Sequence, residues 1–165
     1  MSSPSELEVY RGLIDFLSSR HWVIICASPP AGTDNRFRKC LLPRRELGGN
    51  EKGPRDEVDL TAHNNEIILL VECKPKLSQS FERRNALSES DYDKLKRIRD
   101  SFSPEKLSYL LNRATGIKTP ESPKIALALA VGRVDRPIQN DITILEFRLE
   151  RSRIWPAEPM NNSLA

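Results

Sequence analysis

Residues 58–74 read VDLTAHNNEIILLVECK, and the rest of the chain is organised around this stretch. Residues 67–71 are apolar at every position, which is typical of a central strand packed on both faces. Side chains alternate between the faces of a strand, so Glu72 and Lys74 are predicted on one face and Cys73 on the other. A carboxylate and an ammonium group therefore meet at the end of a buried strand.

A second strand is predicted just before this run. Residues 57–61 alternate polar and apolar, and residues 63–66 have the composition of a turn, so the two runs predict a hairpin. If the loop holds an even number of residues, odd positions of the first strand face even positions of the second. Asp59 then lies opposite Leu70 or Glu72, and either register puts it on the charged face of the buried strand.

Two carboxylates and one ammonium group at one place are costly to bury unless a further charge compensates them. A divalent cation supplies that charge. Oxygen ligands suit Mg²⁺, with Mn²⁺ as a substitute, and these ions keep several waters and bind phosphate oxygens. Lys74 can then orient or deprotonate an attacking water. The pattern indicates metal-dependent hydrolysis of phosphodiester bonds.

Asp59, Glu72 and Lys74 at this spacing resemble the PD-(D/E)xK signature of the restriction-endonuclease-like superfamily, which includes archaeal Holliday junction resolvases and many restriction enzymes. The resemblance covers roughly residues 5–132 in element order, although the proline of the written motif is absent before Asp59. It implies a Mg²⁺-dependent endonuclease acting on DNA. Asp59, Glu72 and the backbone carbonyl of Cys73 would bind the metal, and Lys74 would act on the water.

In superfamily members with this layout the first helix often carries a further acid directed at the metal site. The sequence Ser3-Pro4-Ser5-Glu6 predicts a helix start with Ser3 as N-cap, and the helix should run to about residue 19. Glu6 lies on the core-facing side and is the candidate, with Glu8 on the polar side as its alternative. Glu6 can equally be the acid of a capping box.

The remaining apolar runs complete a mixed sheet. Strands are predicted over residues 22–26, 124–131 and 142–147, and residues 36–42 are a further candidate. The strands over residues 124–131 and 142–147 are expected to pair as a hairpin. A helix should begin near residue 88, restart at Ser103-Pro104 and end at Gly116. Pro75 is expected to end the buried strand. The fold class is α/β, a three-layer αβββαβ core with a mixed central sheet and an added C-terminal strand.

The size of the chain indicates one domain, residues 1–165, with a flexible tail from about residue 156. Its 26 Lys and Arg against 23 Asp and Glu permit nucleic-acid binding without demanding it. Arg44 and Arg45 in a long loop, and Lys94 and Arg97 on an exposed helix face, are candidates for contact with DNA phosphates. The alternative is an ordinary solvated surface. A homodimer would place one site on each strand of a duplex.

Three cysteines, Cys26, Cys40 and Cys73, are odd in number and lack metal-binding spacing, so they are expected to be reduced thiols. No signal peptide and no apolar run of about 18 residues is present, which predicts a soluble, cytoplasmic protein without a membrane segment.

Other functions remain open from the sequence. Glu72 and Lys74 can be read as an ordinary salt bridge at a strand edge, with Asp59 as a turn residue. The chain would then be a non-catalytic nucleic-acid-binding or partner-binding module of a repair or defence complex.

Overall fold

A computed structural model describes residues 4–44, 55–148, 151–157 and 160. Within these ranges the helices are α1 (Glu6–Ser19), α2 (Asp91–Ser101) and α3 (Pro104–Thr115). The strands are β1 (Val23–Ala27), β2 (Cys40–Pro43), β3 (Arg55–Val58), β4 (Leu60–His63), β5 (Ile67–Lys76), β6 (Lys124–Arg133), β7 (Thr143–Phe147) and β8 (Ser152–Trp155). A short 3-10 helix, Leu77–Phe81, follows β5.

Six strands form one mixed sheet in the order β1-β4-β5-β6-β7-β8. Strand β4 pairs antiparallel with β1 and with β5, whereas β6 runs parallel to β5 and β7 runs parallel to β6. Strand β8 returns antiparallel to β7. Strands β2 and β3 form a separate two-stranded antiparallel sheet. The predicted α/β class with a mixed central sheet is confirmed.

Alternation along β5 divides the core between the two faces of the large sheet. Leu69, Val71 and Cys73 pack in the cluster that contains α1, while Ile68 and Leu70 pack in the cluster that contains α2 and α3. All five side chains are fully buried. A run that is apolar at every position is what a strand covered on both faces requires. Helices therefore lie on both sides of the sheet.

The start of α1 differs from the sequence prediction. Ser3 lies outside the described residues, and the N-cap is Ser5. The Ser5 hydroxyl accepts a hydrogen bond from the Glu8 amide at 3.2 Å, and Glu8 Oε1 accepts one from the Ser5 amide at 3.2 Å. This is a complete capping box displaced by two residues. Glu8 is therefore the capping acid, and the capping interpretation of Glu6 was wrong.

Pro75 does not end the strand, because β5 continues to Lys76. The pairing of β4 with β5 ends at Val71, so Pro75 has no partner on the β4 side of the strand. Its missing N–H therefore breaks no hydrogen bond to β4. The predicted hairpin between residues 124–131 and 142–147, which correspond to β6 and β7, was also wrong. Strand β7 lies parallel to β6, and the chain between them crosses back along the sheet.

The C-terminal segment was only partly anticipated. Strand β8 was not predicted, and Ala157 and Met160, which fall in the expected flexible tail, are buried. Residues 158–159 and 161–165 lie outside the described part of the chain. Met160 packs in the same apolar cluster as α1. At these two positions the chain end belongs to the core.

The prediction that all cysteines are reduced was wrong. Cys26 of β1 and Cys40 of β2 form a disulfide, and Cys73 is a free, buried thiol. The pairing joins positions that lie 14 residues apart in sequence, and no spacing rule for short motifs identifies it. The thiol argument for a cytoplasmic protein therefore no longer applies. Among the helices described, none has the length and apolarity needed to cross a membrane.

Candidate active site

Asp59 lies in the one-residue gap between β3 and β4, beside the end of β5. The β4–β5 register pairs Leu60 with Val71, so extending it by one residue places Asp59 beside Glu72, as the hairpin argument predicts. Asp59 Oδ2 accepts a hydrogen bond of 2.7 Å from the Cys73 amide. Its backbone carbonyl accepts another of 2.8 Å from the Ser28 amide. The first bond fixes the carboxylate relative to the end of β5, and the second ties the Asp59 backbone to the residue that follows β1.

Glu72 is a carboxylate buried among apolar strands, with 2% of the residue exposed. Burial raises its pKa well above the ordinary value, and the neighbouring Asp59 carboxylate raises it further. The ammonium group of Lys94 pairs with Glu72 Oε1, although the contact is not aligned as a hydrogen bond. Glu72 is thus a buried carboxyl whose charged form needs a neighbouring cation, and Lys94 is the described cation in contact with it.

Lys74 joins the end of β5 to both neighbouring helices. Its Nζ lies 3.2 Å from Glu6 Oε1 on α1 and 3.4 Å from Asp91 Oδ2 on α2. Burial lowers the pKa of Lys74, but the carboxylates of Asp91 and Glu6 outweigh it and the net direction is upward. The lysine is therefore held in its charged form. Glu6, the predicted helix acid, is in contact with this lysine.

Asp91 is a residue of this cluster that sequence reasoning did not single out. It is the first residue of α2, next to the N-cap Ser90, and burial raises its pKa. Its Oδ2 is buried and forms no aligned hydrogen bond with the residues described. The sequence signal for this role is the position of Asp91, one turn before Lys94 in the helix that follows the Glu-Cys-Lys strand. The sequence prediction uses this segment only as the start of a helix.

Two residues predicted on an exposed helix face are instead half-buried. Lys94 Nζ donates to the Glu57 carbonyl at 3.0 Å besides pairing with Glu72. The Arg97 guanidinium donates to both oxygens of Asp56, at 2.8 and 2.9 Å, and also to Glu89. The expected exposure was wrong because the helix turns this face toward β3 and β5.

The loop residues predicted to contact DNA are only partly described. Arg44 Nε lies 3.6 Å from Asp56 Oδ1, whereas Arg45 lies outside the described residues. Arg44 therefore lies near the ion pair that ties β3 to α2.

Six charged side chains converge at the end of β5: Glu6, Asp59, Glu72, Lys74, Asp91 and Lys94. Four carboxyls against two ammonium groups leave a formal charge of −2 when all are ionised. Four of the six, Glu6, Lys74, Asp91 and Lys94, line a cleft of about 610 Å³, and the exposed Glu82, Arg83 and Arg84 line it as well. The carboxyls of the cluster suit a cation, and the two exposed arginines of the cleft suit a phosphate.

Asp59 and Glu72 supply the oxygen ligands that Mg²⁺ prefers, and a bound cation would also satisfy the unaligned Oε1 of Glu72. In the described ranges no three His, Cys, Asp or Glu side chains lie where one ion could be held by all of them. Mg²⁺ commonly binds through one or two carboxylates and keeps several waters. The donor set is therefore compatible with a two-carboxylate site.

Gly132 of β6 brings three distant parts of the chain together beside this cluster. A Cβ atom on Gly132 would lie 2.9 Å from the Pro4 carbonyl oxygen and 2.9 Å from that of Pro75. Real Cβ atoms do not approach backbone oxygens so closely. Pro4 stands two residues before Glu6, and Pro75 follows Lys74. The missing side chain therefore permits the approach of α1 to β5 on which the Glu6–Lys74 contact depends.

Comparisons with known proteins do not assign the chain to a family. No family model matches the sequence, and no curated protein and no solved structure matches it either. Its function must therefore be inferred from the residues of the site.

Proposed function

We propose that the protein is a Mg²⁺-dependent endonuclease that hydrolyses phosphodiester bonds in DNA. The observation that carries this proposal is Glu72, a buried carboxyl beside Asp59 in a cluster that holds more carboxyls than ammonium groups. Such an arrangement is unfavourable unless a further cation compensates it. The proximity of Asp59, Glu72 and Lys74 to Glu6 at the end of one strand supports the proposal, because a site of the PD-(D/E)xK type would need these residues together.

Each residue has a distinct role in this proposal. Asp59 and Glu72 would hold the ion, with the Cys73 carbonyl as a third ligand. Mg²⁺ would supply Lewis-acid stabilisation of the phosphate and lower the pKa of a water molecule. Lys74 has a raised pKa and stays protonated, so it orients the water or a phosphate oxygen as a donor rather than removing a proton.

Glu6 and Asp91 position Lys74 rather than react. Each places a carboxylate within 3.4 Å of its ammonium group, from opposite sides of the sheet end. Together they keep the lysine charged and restrict where its Nζ can lie.

The topology supports the same proposal. Helix α1 precedes three antiparallel neighbours, β1, β4 and β5, and the chain then passes through two helices into the parallel strand β6. This order is compatible with the αβββαβ core of restriction-endonuclease-like nucleases. The β2–β3 sheet would be an insertion, and β7 and β8 would be additions at the edge.

A nuclease panel tests the proposal directly. Plasmid, duplex, single-stranded and branched DNA and RNA are incubated with Mg²⁺, Mn²⁺ or EDTA. We expect DNA cleavage with either metal and none in EDTA. Glu72→Gln should lower the rate by on the order of a hundredfold or more. The matched control is Glu66→Gln, an exposed glutamate at the opposite end of β5, which should cleave like the wild type. Metal-independent cleavage, or a fully active Glu72→Gln, would refute the site.

A second candidate function, a non-catalytic nucleic-acid-binding module, is favoured by one observation. Lys94 already pairs with Glu72, and the Cys73 amide already binds Asp59, so part of the carboxylate charge is compensated within the protein. This candidate predicts no heat on titration with Mn²⁺ and no cleavage of any substrate. A homodimer, proposed for cutting both strands, is checked by sedimentation with and without duplex DNA.

A further inference from the structure

A basic groove of about 410 Å³ lies between the β2–β3 sheet and the end of α3, apart from the acidic cluster. Its cations come from three separate segments, the residues before β2, the first residue of β3 and the last turn of α3. They are Arg38, Lys39, Arg55 and Arg113. Among the described residues no carboxylate lines this groove, and Leu41 and Leu110 give it an apolar part.

Three of these cations have their charge directed to solvent. Arg38, Lys39 and Arg55 are exposed, and none forms an ion pair with a described residue. Nearby Arg36 is different, because it pairs with Asp34 at 2.8 Å. Like charges gathered around one groove repel each other, so the surface is most stable when a polyanion neutralises it.

An exposed aromatic ring stands next to the groove. Tyr109 of α3 is 51% exposed, and Lys106 Nζ lies 5.1 Å from its ring centroid. Arg113 Nη1 donates to the Tyr109 hydroxyl at 3.2 Å. These three residues follow each other at helical spacing on one face. A solvent-facing aromatic ring between two cations is a suitable platform for stacking a nucleobase.

We propose that this groove binds single-stranded nucleic acid, with phosphates on Arg38, Lys39 and Arg55 and one base stacked on Tyr109. Stacking on an exposed ring requires an unpaired base, which favours a single strand over a duplex. The inference goes beyond the nuclease proposal and does not depend on it. Arg55 begins β3, whose other end precedes Asp59, so roughly 13 Å of extended chain separates the groove from the acidic cluster.

Binding of a short labelled single-stranded oligonucleotide, measured by fluorescence anisotropy in EDTA with the full chain, tests the proposal. Arg38→Ala/Arg55→Ala should weaken binding about tenfold and make the slope of log affinity against log salt shallower by about 1.4, because two phosphate contacts are lost. The matched control is Arg11→Ala/Arg153→Ala. Arg11 and Arg153 are exposed arginines outside the groove, and the control should bind like the wild type. Thermal melting checks that all variants are folded.

Tyr109 separates stacking from general attraction. Tyr109→Ala should weaken binding about tenfold with an unchanged salt slope, whereas Tyr109→Phe keeps the ring and the affinity. Wild-type affinity in the double arginine variant would overturn the proposal. Displacement of the oligonucleotide by poly-glutamate as readily as by unlabelled oligonucleotide, or equally tight binding of duplex, would also overturn it.

The two proposals fail separately in these experiments. Glu72→Gln should lose cleavage and keep oligonucleotide binding, and the Arg38→Ala/Arg55→Ala variant should bind about tenfold more weakly at every metal concentration, including none.

Discussion

Glu72 should contribute to the pH dependence of the protein's stability. Burial, followed by the Asp59 carboxylate, raises the pKa of Glu72 in the folded chain, and burial raises that of Asp91 in the same direction. The pKa of a glutamate in an unfolded chain is about 4. Above this pH the folded state binds more protons than the unfolded chain. Stability therefore falls as the pH rises from about 4 toward the raised pKa, and the loss is complete above it.

Glu72→Gln removes this titration, so its free energy of unfolding should increase relative to the wild type as the pH rises through that window. Urea denaturation at a series of pH values in EDTA measures the difference. The same series on Glu66→Gln, which changes an exposed glutamate, serves as the control. If the difference in free energy of unfolding between Glu72→Gln and wild type stays constant with pH, the pKa of the Glu72 carboxyl is not raised by burial.

A cation bound by Asp59 and Glu72 would also raise the melting temperature. Ligand binding to the folded state alone stabilises it by about 2.7 kcal/mol at a hundredfold excess over Kd. Mg²⁺ or Mn²⁺ at neutral pH should therefore stabilise the wild type and leave Glu72→Gln unchanged in thermal melts. Equal shifts in both proteins would locate the ion elsewhere.

Substitutions at Glu6 and at Ser5 should have different effects, one on cleavage and the other on the stability that helix capping supplies. Ser5→Ala removes the N-cap and should cost about 1 kcal/mol of stability. Glu6→Gln removes one side of a partly exposed ion pair and should cost less than that, while lowering cleavage. Urea unfolding and the plasmid assay measure the two effects. If Glu6→Gln costs as much stability as Ser5→Ala and leaves cleavage intact, Glu6 has no role in positioning Lys74.

At the scale of elements, helix α2 connects the site to the rest of the fold. Asp91 and Lys94 on its first turns contact β5 residues, and Arg97, one turn on, bonds Asp56 of β3. Asp56 is 7% exposed, and that guanidinium is its bidentate partner, with Arg44 Nε 3.6 Å away. One face of the helix thus compensates carboxylates on two different strands.

Arg97→Ala should consequently destabilise the protein by about 3 kcal/mol, because it leaves the buried Asp56 carboxylate without its bidentate partner. Arg99→Ala is the matched control on the same helix. Its guanidinium pairs with the exposed Asp100, and its loss should change stability by no more than about 0.5 kcal/mol. Urea denaturation of the two variants makes the comparison. Similar small effects in both would argue that Arg97 is a surface residue, as the sequence suggested.

Elements set by local pattern could be predicted from the sequence, and those set by distant contacts could not. The apolar run of β5, its alternation and the even loop were sufficient to bring Asp59, Glu72 and Lys74 to one place. The direction in which α2 faces depends on packing against β3 and β5, so Asp91 was missed and Lys94 was placed on the surface. The parallel pairing of β7 likewise depends on the sheet edge that β6 offers, which no local motif encodes.

At the scale of the whole molecule, the Cys26–Cys40 disulfide joins the small sheet to the large one. Cys26 belongs to β1 and Cys40 to β2, and both residues are fully buried. The β2–β3 sheet carries part of the basic groove and ends just before Asp59. A covalent link between the sheets therefore limits how far the groove can move from the acidic cluster.

Loss of this link should lower stability measurably. Cys26→Ser/Cys40→Ser should cost about 3 kcal/mol, the value expected for closing a loop of about 15 residues. Reductant should destabilise the wild type by a similar amount and leave the double variant unaffected. Titration of unfolded, unreduced protein with a thiol reagent should count one thiol, Cys73. Three thiols in freshly purified protein would show that the disulfide does not form.

Gly132 has a consequence for the order in which the molecule folds. The Pro4 and Pro75 carbonyls meet across Gly132 of β6, so the helix end that carries Glu6 can settle beside Lys74 once β6 has joined the sheet. Contacts between residues this far apart in sequence form slowly, because a long loop must close first. Asp59 and Glu72 can meet early within their hairpin, whereas the lysine acquires its α1 partner late. In a newly made chain, Asp59 and Glu72 would thus lie together before Glu6 pairs with Lys74.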